Sequence, residues 1–117
     1  MVEERRKHPR LETRFMVSYK LLDEEKIIDI SHTKNVSLGG LLLTTNKEFE
    51  PGTKLALNIR LPFSPKPLSF IGKVVESKEV VKDLIYDTHI ELLSASEEDT
   101  NIFKEAIETY SKTKEKK

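Results

Sequence analysis

The sequence predicts a mainly β domain closed by one C-terminal α-helix. Three observations carry this. Short apolar runs are separated by turn residues, and none except the last is long enough for an ordinary helix. Leu55, Leu57, Ile59 and Leu61 recur at period two, the spacing of a half-buried strand. Only after Ser94 does the period change to that of a helix. At 117 residues the chain suits one domain with one modest core, and no solenoid-like repeat is present.

The first residues are highly charged, and Pro9 removes a backbone donor while pushing His8 toward extended conformations. Residues 1–14 are therefore expected to be a flexible arginine-rich arm leading into the first strand. Phe15 to Tyr19 and Lys26 to Ile30 read as a hairpin around the polar turn Asp23-Glu24-Glu25. Residues 31–40, SHTKNVSLGG, read as a turn, and Leu41 to Thr44 resumes a short strand. Glu50-Pro51-Gly52-Thr53 is a further turn before the alternating strand Leu55 to Leu61. After the proline-punctuated loop Pro62 to Pro67 come Leu68 to Val75, the pair Val80-Val81, and Ile85 to Leu93, which makes about six strands.

Ser94-Ala95-Ser96-Glu97 has the spacing of a capping box, and Glu97, Glu98 and Asp99 suit the positive end of a helix starting near residue 96. Ile102, Phe103, Ala106, Ile107 and Tyr110 share one face of it, which is expected to cover an edge or end of the sheet. The folded module is thus expected over residues 15–110, with 111–117 as a frayed basic tail.

Lys plus Arg and Asp plus Glu number 20 each, so any anion site must be local. The absence of cysteine removes disulfides, thiolate nucleophiles and Cys-based zinc sites. No stretch is apolar enough for a signal core or a membrane span, so a cytoplasmic protein with no direct membrane insertion is expected. His8, His32 and His89 lack metal-ligand spacing, and the acidic clusters suit a turn and a helix start better than a catalytic pair. No nucleophile, base and orienter assemble, so neither an enzyme nor a metal or cofactor protein is expected.

Two constellations remain. Arg5, Arg6 and Arg10 can grip phosphate oxygens in pairs, stack on a base, or read the O6/N7 edge of guanine. On an extended arm Arg6 and Arg10 lie roughly 13 Å apart, which suits a bulky ligand with several anionic groups. In Asn35-Val36-Ser37-Leu38-Gly39-Gly40, two small polar side chains adjoin paired glycines whose backbone a ligand can approach, and successive N–H groups there could cradle an anion. Taken singly, each has an ordinary reading, a solvated basic terminus and a common strand connection.

The ordered pair, Arg6-Lys7-His8-Pro9-Arg10 followed after a hairpin by Asn35-Val36-Ser37-Leu38-Gly39-Gly40, resembles the Arg-x-x-x-Arg and Asp/Asn-x-Ser-x-x-Gly signatures of the PilZ family. That resemblance extends along nearly the whole chain. It implies a six-stranded antiparallel barrel of the split-barrel type and a receptor, not an enzyme, for the bacterial second messenger cyclic di-GMP. It further implies that Arg6 and Arg10 hold phosphates and stack on guanine, that Asn35 and Ser37 bond to the ligand, and that Gly39 and Gly40 let it approach. Arg5 is the extra arginine that in similar proteins accompanies a stacked pair of ligand molecules.

Binding would order the arm and create a surface for an unidentified downstream protein, with motility or exopolysaccharide control as the output. Two residues depart from the family pattern. Glu76 stands where many relatives carry an aromatic residue, and His89 where a glycine is common. A PilZ-like interaction scaffold that binds no nucleotide is the alternative. A nucleic-acid-binding barrel fits less well, because zero net charge and 7% aromatic residues leave little for backbone tracking and base stacking.

Overall fold

The computed structural model describes residues 12–62 and 64–115, so Arg5, Arg6 and Arg10 lie outside the described residues, as does most of the expected arm. Six strands precede one helix: β1 (Met16–Leu21), β2 (Asp29–Val36), β3 (Gly40–Thr45), β4 (Lys54–Arg60), β5 (Leu68–Val81), β6 (Ile85–Ala95) and α1 (Glu97–Glu115). All neighbours are antiparallel and the sheet closes on itself in the order β1-β2-β3-β6-β5-β4. Closure leaves the barrel wall without a free edge.

The period-two strand behaves as its sequence dictates. Leu55, Leu57 and Ile59 on β4 point inward to meet Val17 and Tyr19 of β1, Leu41 and Leu43 of β3, Phe70 and Val74 of β5, and Ile90 of β6. Helix α1 then covers one end of the barrel with the predicted face. Phe103, Ala106 and Ile107 are buried, Phe103 meets the Phe70 ring at 5.1 Å, and Tyr110 meets Phe15 edge-on at 5.5 Å. The opposite end is closed by Phe49, whose ring lies 6.1 Å from that of Tyr19.

Three local expectations are corrected. Residues 31–36 are not turn but the body of β2, and residues 26–28 precede it. The polar sequence hid this because its inward residue is a threonine. Thr33 is fully buried, its hydroxyl accepting the Phe15 N–H at 2.9 Å and donating to the Thr13 carbonyl at 2.7 Å. Val80-Val81 is not a separate run, because β5 continues without a break to Val81. Its three-residue turn to β6 places Asp83 in the left-handed region at φ 61°, a conformation Asp tolerates.

The third correction concerns the helix start. Ser96, not Ser94, caps α1, its hydroxyl accepting the Asp99 N–H at 3.0 Å. Asp99 in turn accepts the Ser69 N–H at 2.9 Å, which ties the helix to the start of β5. At its other end α1 continues to Glu115, into the segment expected to fray.

Strand alternation is interrupted at chosen places. β2 carries an extra residue against β3 at Lys34, since Thr33 faces Leu43 while Asn35 faces Leu42. The β5–β6 pair carries three more, at Val75, Val80 and Leu93. Each extra residue reverses which side the next side chain takes. This explains why Val75, Val80 and Leu93 are among the exposed apolar residues.

A hydroxyl chain binds the 46–50 loop to the β5–β6 hairpin. Thr45 donates to the Lys47 carbonyl at 2.9 Å and so must accept from Thr88 at 2.8 Å. Thr88 therefore accepts from Ser77 at 2.7 Å, and Ser77 accepts the Phe49 N–H at 3.1 Å. Replacing Thr88 by Val, which keeps the shape, strands the Ser77 proton and leaves Thr45 without its donor. We expect Thr88→Val to cost about 1–3 kcal/mol in chemical denaturation.

Tyr19 supplies a second test. Its hydroxyl is buried with no hydrogen-bond partner among the described residues, and burial, followed by the negative charge of its cross-strand partner Asp29, pushes its pKa up to about 12. The fold therefore favours the neutral phenol. That contribution is intact below pH 10, the value for an unfolded tyrosine, and is lost as pH rises from there toward 12. Tyr19→Phe should be at least as stable as the wild type at pH 8, and the difference in Tm between the two proteins should widen in favour of the variant above pH 10.

Candidate functional site

The Asn35 to Gly40 segment lies where β2 turns into β3. Ser37 and Gly40 close the turn with paired backbone bonds, Ser37 N–H to the Gly40 carbonyl at 2.8 Å and Gly40 N–H to the Ser37 carbonyl at 3.4 Å. The Ser37 hydroxyl accepts the Gly39 N–H at 3.3 Å and donates to the Gly40 carbonyl at 3.4 Å. The Gly39 and Gly40 amides are thus directed at Ser37, and the expected cradle of free N–H groups is not formed by these two. Both hydroxyl bonds are long enough that a better partner could replace them at little cost.

Asn35 owes its orientation to the bulge. Thr33 points into the barrel, and strict alternation would send Asn35 inward as well. The extra residue Lys34 turns Asn35 outward, half-buried, with its side-chain amide unpartnered among the described residues. Lys34 itself is held away by Asp87 on β6, its ammonium 2.9 Å from Oδ1 and bonded to Oδ2 at 3.2 Å. Oδ1 receives that ion-pair contact but no aligned hydrogen.

Gly40 has a structural reason. A Cβ there would stand 2.5 Å from the Ile90 carbonyl oxygen of β6, closer than the backbone permits. The β6 strand also reaches the turn directly, the Leu92 N–H donating to the Gly39 carbonyl at 3.0 Å.

Register extends this corner into a face. Asn35 stands opposite Leu42, Leu42 opposite His89, and His89 opposite Glu76, so these four form one outward row across β2, β3, β6 and β5. The neighbouring row runs from Gly40 to Glu91 and Lys73, the last two charges 4.0 Å apart and well exposed. The Val75 bulge puts Glu76 in the first row, as the Lys34 bulge does Asn35. Motif spacing alone named Asn35, Ser37, Gly39 and Gly40. Leu42, Glu91 and Lys73 join them only through strand register, which a linear pattern does not display.

Electrostatically the face is balanced. Lys34, Lys73 and Lys78 are set against Asp87, Glu91 and Glu76, and the best-formed pair, Lys34 with Asp87, is internally satisfied. Cations for a polyanionic ligand must come largely from elsewhere. The chain that carries Arg5, Arg6 and Arg10 enters the described structure at Glu12 and is pinned by Thr33, two residues from Asn35. Among the described residues, no group of three or more His, Asp or Glu side chains could hold a metal ion, and no helix is long and apolar enough to cross a membrane.

Comparison with known proteins places the fold. None of the curated proteins matches the sequence. Among solved structures, Bacillus subtilis MotI/DgrA, an inhibitor of motility, superposes with a TM-score of 0.79 at 20% identity, covering 96% of this chain and 53% of that one. The PilZ domain of Escherichia coli YcgR, solved with c-di-GMP, gives a TM-score of 0.68 at 16% identity, covering 97% and 96%. MrkH of K. pneumonia, in complex with c-di-GMP, gives 0.71 at 16%, covering 99% and 57%. The chain thus spans about half the length of MotI and MrkH. At these identities the likeness is one of fold. The PilZ domain model, however, matches residues 4–111, a stretch that takes in both the arginine segment and the Asn35–Gly40 turn, and the chain belongs to the PilZ family.

Proposed function

We propose that this PilZ domain is a cytoplasmic receptor for cyclic di-GMP that binds its ligand without transforming it. The observation that carries the reading is the outward, unpartnered Asn35 amide, beside a turn whose Ser37 hydroxyl is only loosely engaged, two residues from the point where the arginine-bearing segment is pinned to the barrel. The c-di-GMP complexes of the YcgR PilZ domain and of MrkH support the choice of ligand.

In this mechanism Asn35 and Ser37 bond to guanine and the ligand backbone, and Gly39 and Gly40 keep the approach open. Arg6 and Arg10 supply the cations that the face lacks, gripping phosphates and stacking on the base. Arg5 serves a second, stacked ligand molecule. Charge-assisted bonds to the arm offset the entropy of ordering it. The ordered arm then presents a surface to a downstream protein, and the role of MotI as an inhibitor of motility favours motility over exopolysaccharide control as the output.

Calorimetric titration of cyclic di-GMP tests the reading. Arg6→Ala, Arg10→Ala and Asn35→Ala should each weaken binding by roughly 1.5–3 kcal/mol, about ten- to hundredfold. A folded wild type that gives no binding heat at high-micromolar ligand overturns it and leaves a scaffold that reads no nucleotide. A stoichiometry of two ligands per chain supports the stacked pair, and a value of one rejects it. Gly40→Ala is a different kind of variant. Because its Cβ meets the Ile90 carbonyl, we expect its Tm to fall as well as its affinity.

A further inference from the structure

We propose that the outer surface of β1, β2 and β4 carries a second anion site, separate from the Asn35–Gly40 corner, which takes the phosphoryl groups of a small diphosphate-bearing molecule. A cavity of about 330 Å³ opens there, with Arg14, His32 and Arg60 around its rim and Met16, Leu61 and Pro62 supplying apolar walls. That volume falls at the lower end of the range for small-molecule pockets.

Register explains why the two arginines and the histidine converge. Met16 stands opposite His32 on one side and Arg60 on the other, so all three share one row and face outward. Neighbouring strands lie roughly 4.8 Å apart, which places the His32 and Arg60 backbones about 10 Å from each other across Met16. Arg14, two residues before Met16, falls on the same side. Two guanidinium groups and an imidazole can thereby reach one point above the Met16 side chain.

The two guanidinium charges there are uncompensated among the described residues. Among the described residues no carboxylate lines the cavity, and neither the Arg14 nor the Arg60 guanidinium has a hydrogen bond or ion pair. On a chain with equal numbers of acidic and basic residues, such a cluster is a local positive field. Ser64, also at the cavity, spends its hydroxyl proton on the Lys66 carbonyl at 3.0 Å. The donors are therefore the two arginines, whose planar forks match phosphate oxygens bidentately, with His32 as a third. The apolar walls give the organic part of the ligand a surface to cover. None of residues 35–40 lines this cavity, and Lys34, the cation between the two sites on β2, is turned to Asp87.

The test is a titration of the full ¹⁵N-labelled chain with inorganic pyrophosphate, followed by amide chemical shifts at fixed ionic strength. A saturable response centred on the amides of residues 14–16, 32, 60, 61 and 64 is expected. Arg60→Ala should weaken it roughly tenfold, Arg14→Ala should do the same, and Asn35→Ala should leave it unchanged. Spectral dispersion of each variant verifies that it is folded. The proposal is overturned if sodium chloride at matched ionic strength moves the same amides, if both arginine variants titrate like the wild type, or if Asn35→Ala removes the response. Because no cyclic di-GMP is used, the outcome is independent of whether the 35–40 corner binds that ligand.

Discussion

Side chains along a β-strand alternate between the two faces of the sheet, and only an inserted residue can change the phase. Around a closed barrel this is a severe constraint, because one face is the core and every inward position must be filled without a void. The barrel meets the demand with extra residues at Lys34, Val75, Val80 and Leu93. Thr33 and Val36 are both buried although three positions apart, and the residues between them, Lys34 and Asn35, both face outward. The same step after Val74 brings Glu76 outward while Ser77 turns in to meet Thr88. The outer row that contains Asn35 therefore follows from how the core is filled.

That constraint also decides what could be read from the sequence. β1, β4 and the apolar face of α1 were legible because their inward residues are aliphatic or aromatic and keep strict period. Most of β2 was hidden because the inward residue at its centre is Thr33, whose hydroxyl is satisfied by the chain leading into β1, a partner distant in sequence. The far half of β5 was hidden because Val75 and Val80 are bulges, so apolar residues fall on the solvent side and break the alternation. The cap of α1 was misplaced by two residues because Ser94 and Ser96 are chemically alike, and only the position of Asp99 distinguishes them.

The candidate site divides in the same manner. Asn35, Ser37, Gly39 and Gly40 are adjacent in sequence and turn-forming, so they show as a motif. Leu42, His89 and Glu76 are brought beside Asn35 by pairing across three strand boundaries, and His32 and Arg60 are brought to either side of Met16 by pairing across two. The barrel contributes shape, apolar surface and neutral hydrogen-bonding groups to the Asn35 corner, while Arg14 and Arg60 stand elsewhere on its wall. Two unlike surfaces thus share β2, with the Lys34–Asp87 ion pair at the boundary between them.

The hydroxyl relay from Phe49 through Ser77, Thr88 and Thr45 to Lys47 starts on a group that can only donate and ends on one that can only accept. Its protons consequently have a single permitted ordering, and no member can rotate to a new partner without stranding the next. Such a wire is all or nothing. The loop that carries Phe49 into the end of the barrel and the hairpin that projects past it are coupled through it as one cooperative opening unit, so amides in two segments nearly thirty residues apart share a common protection against exchange.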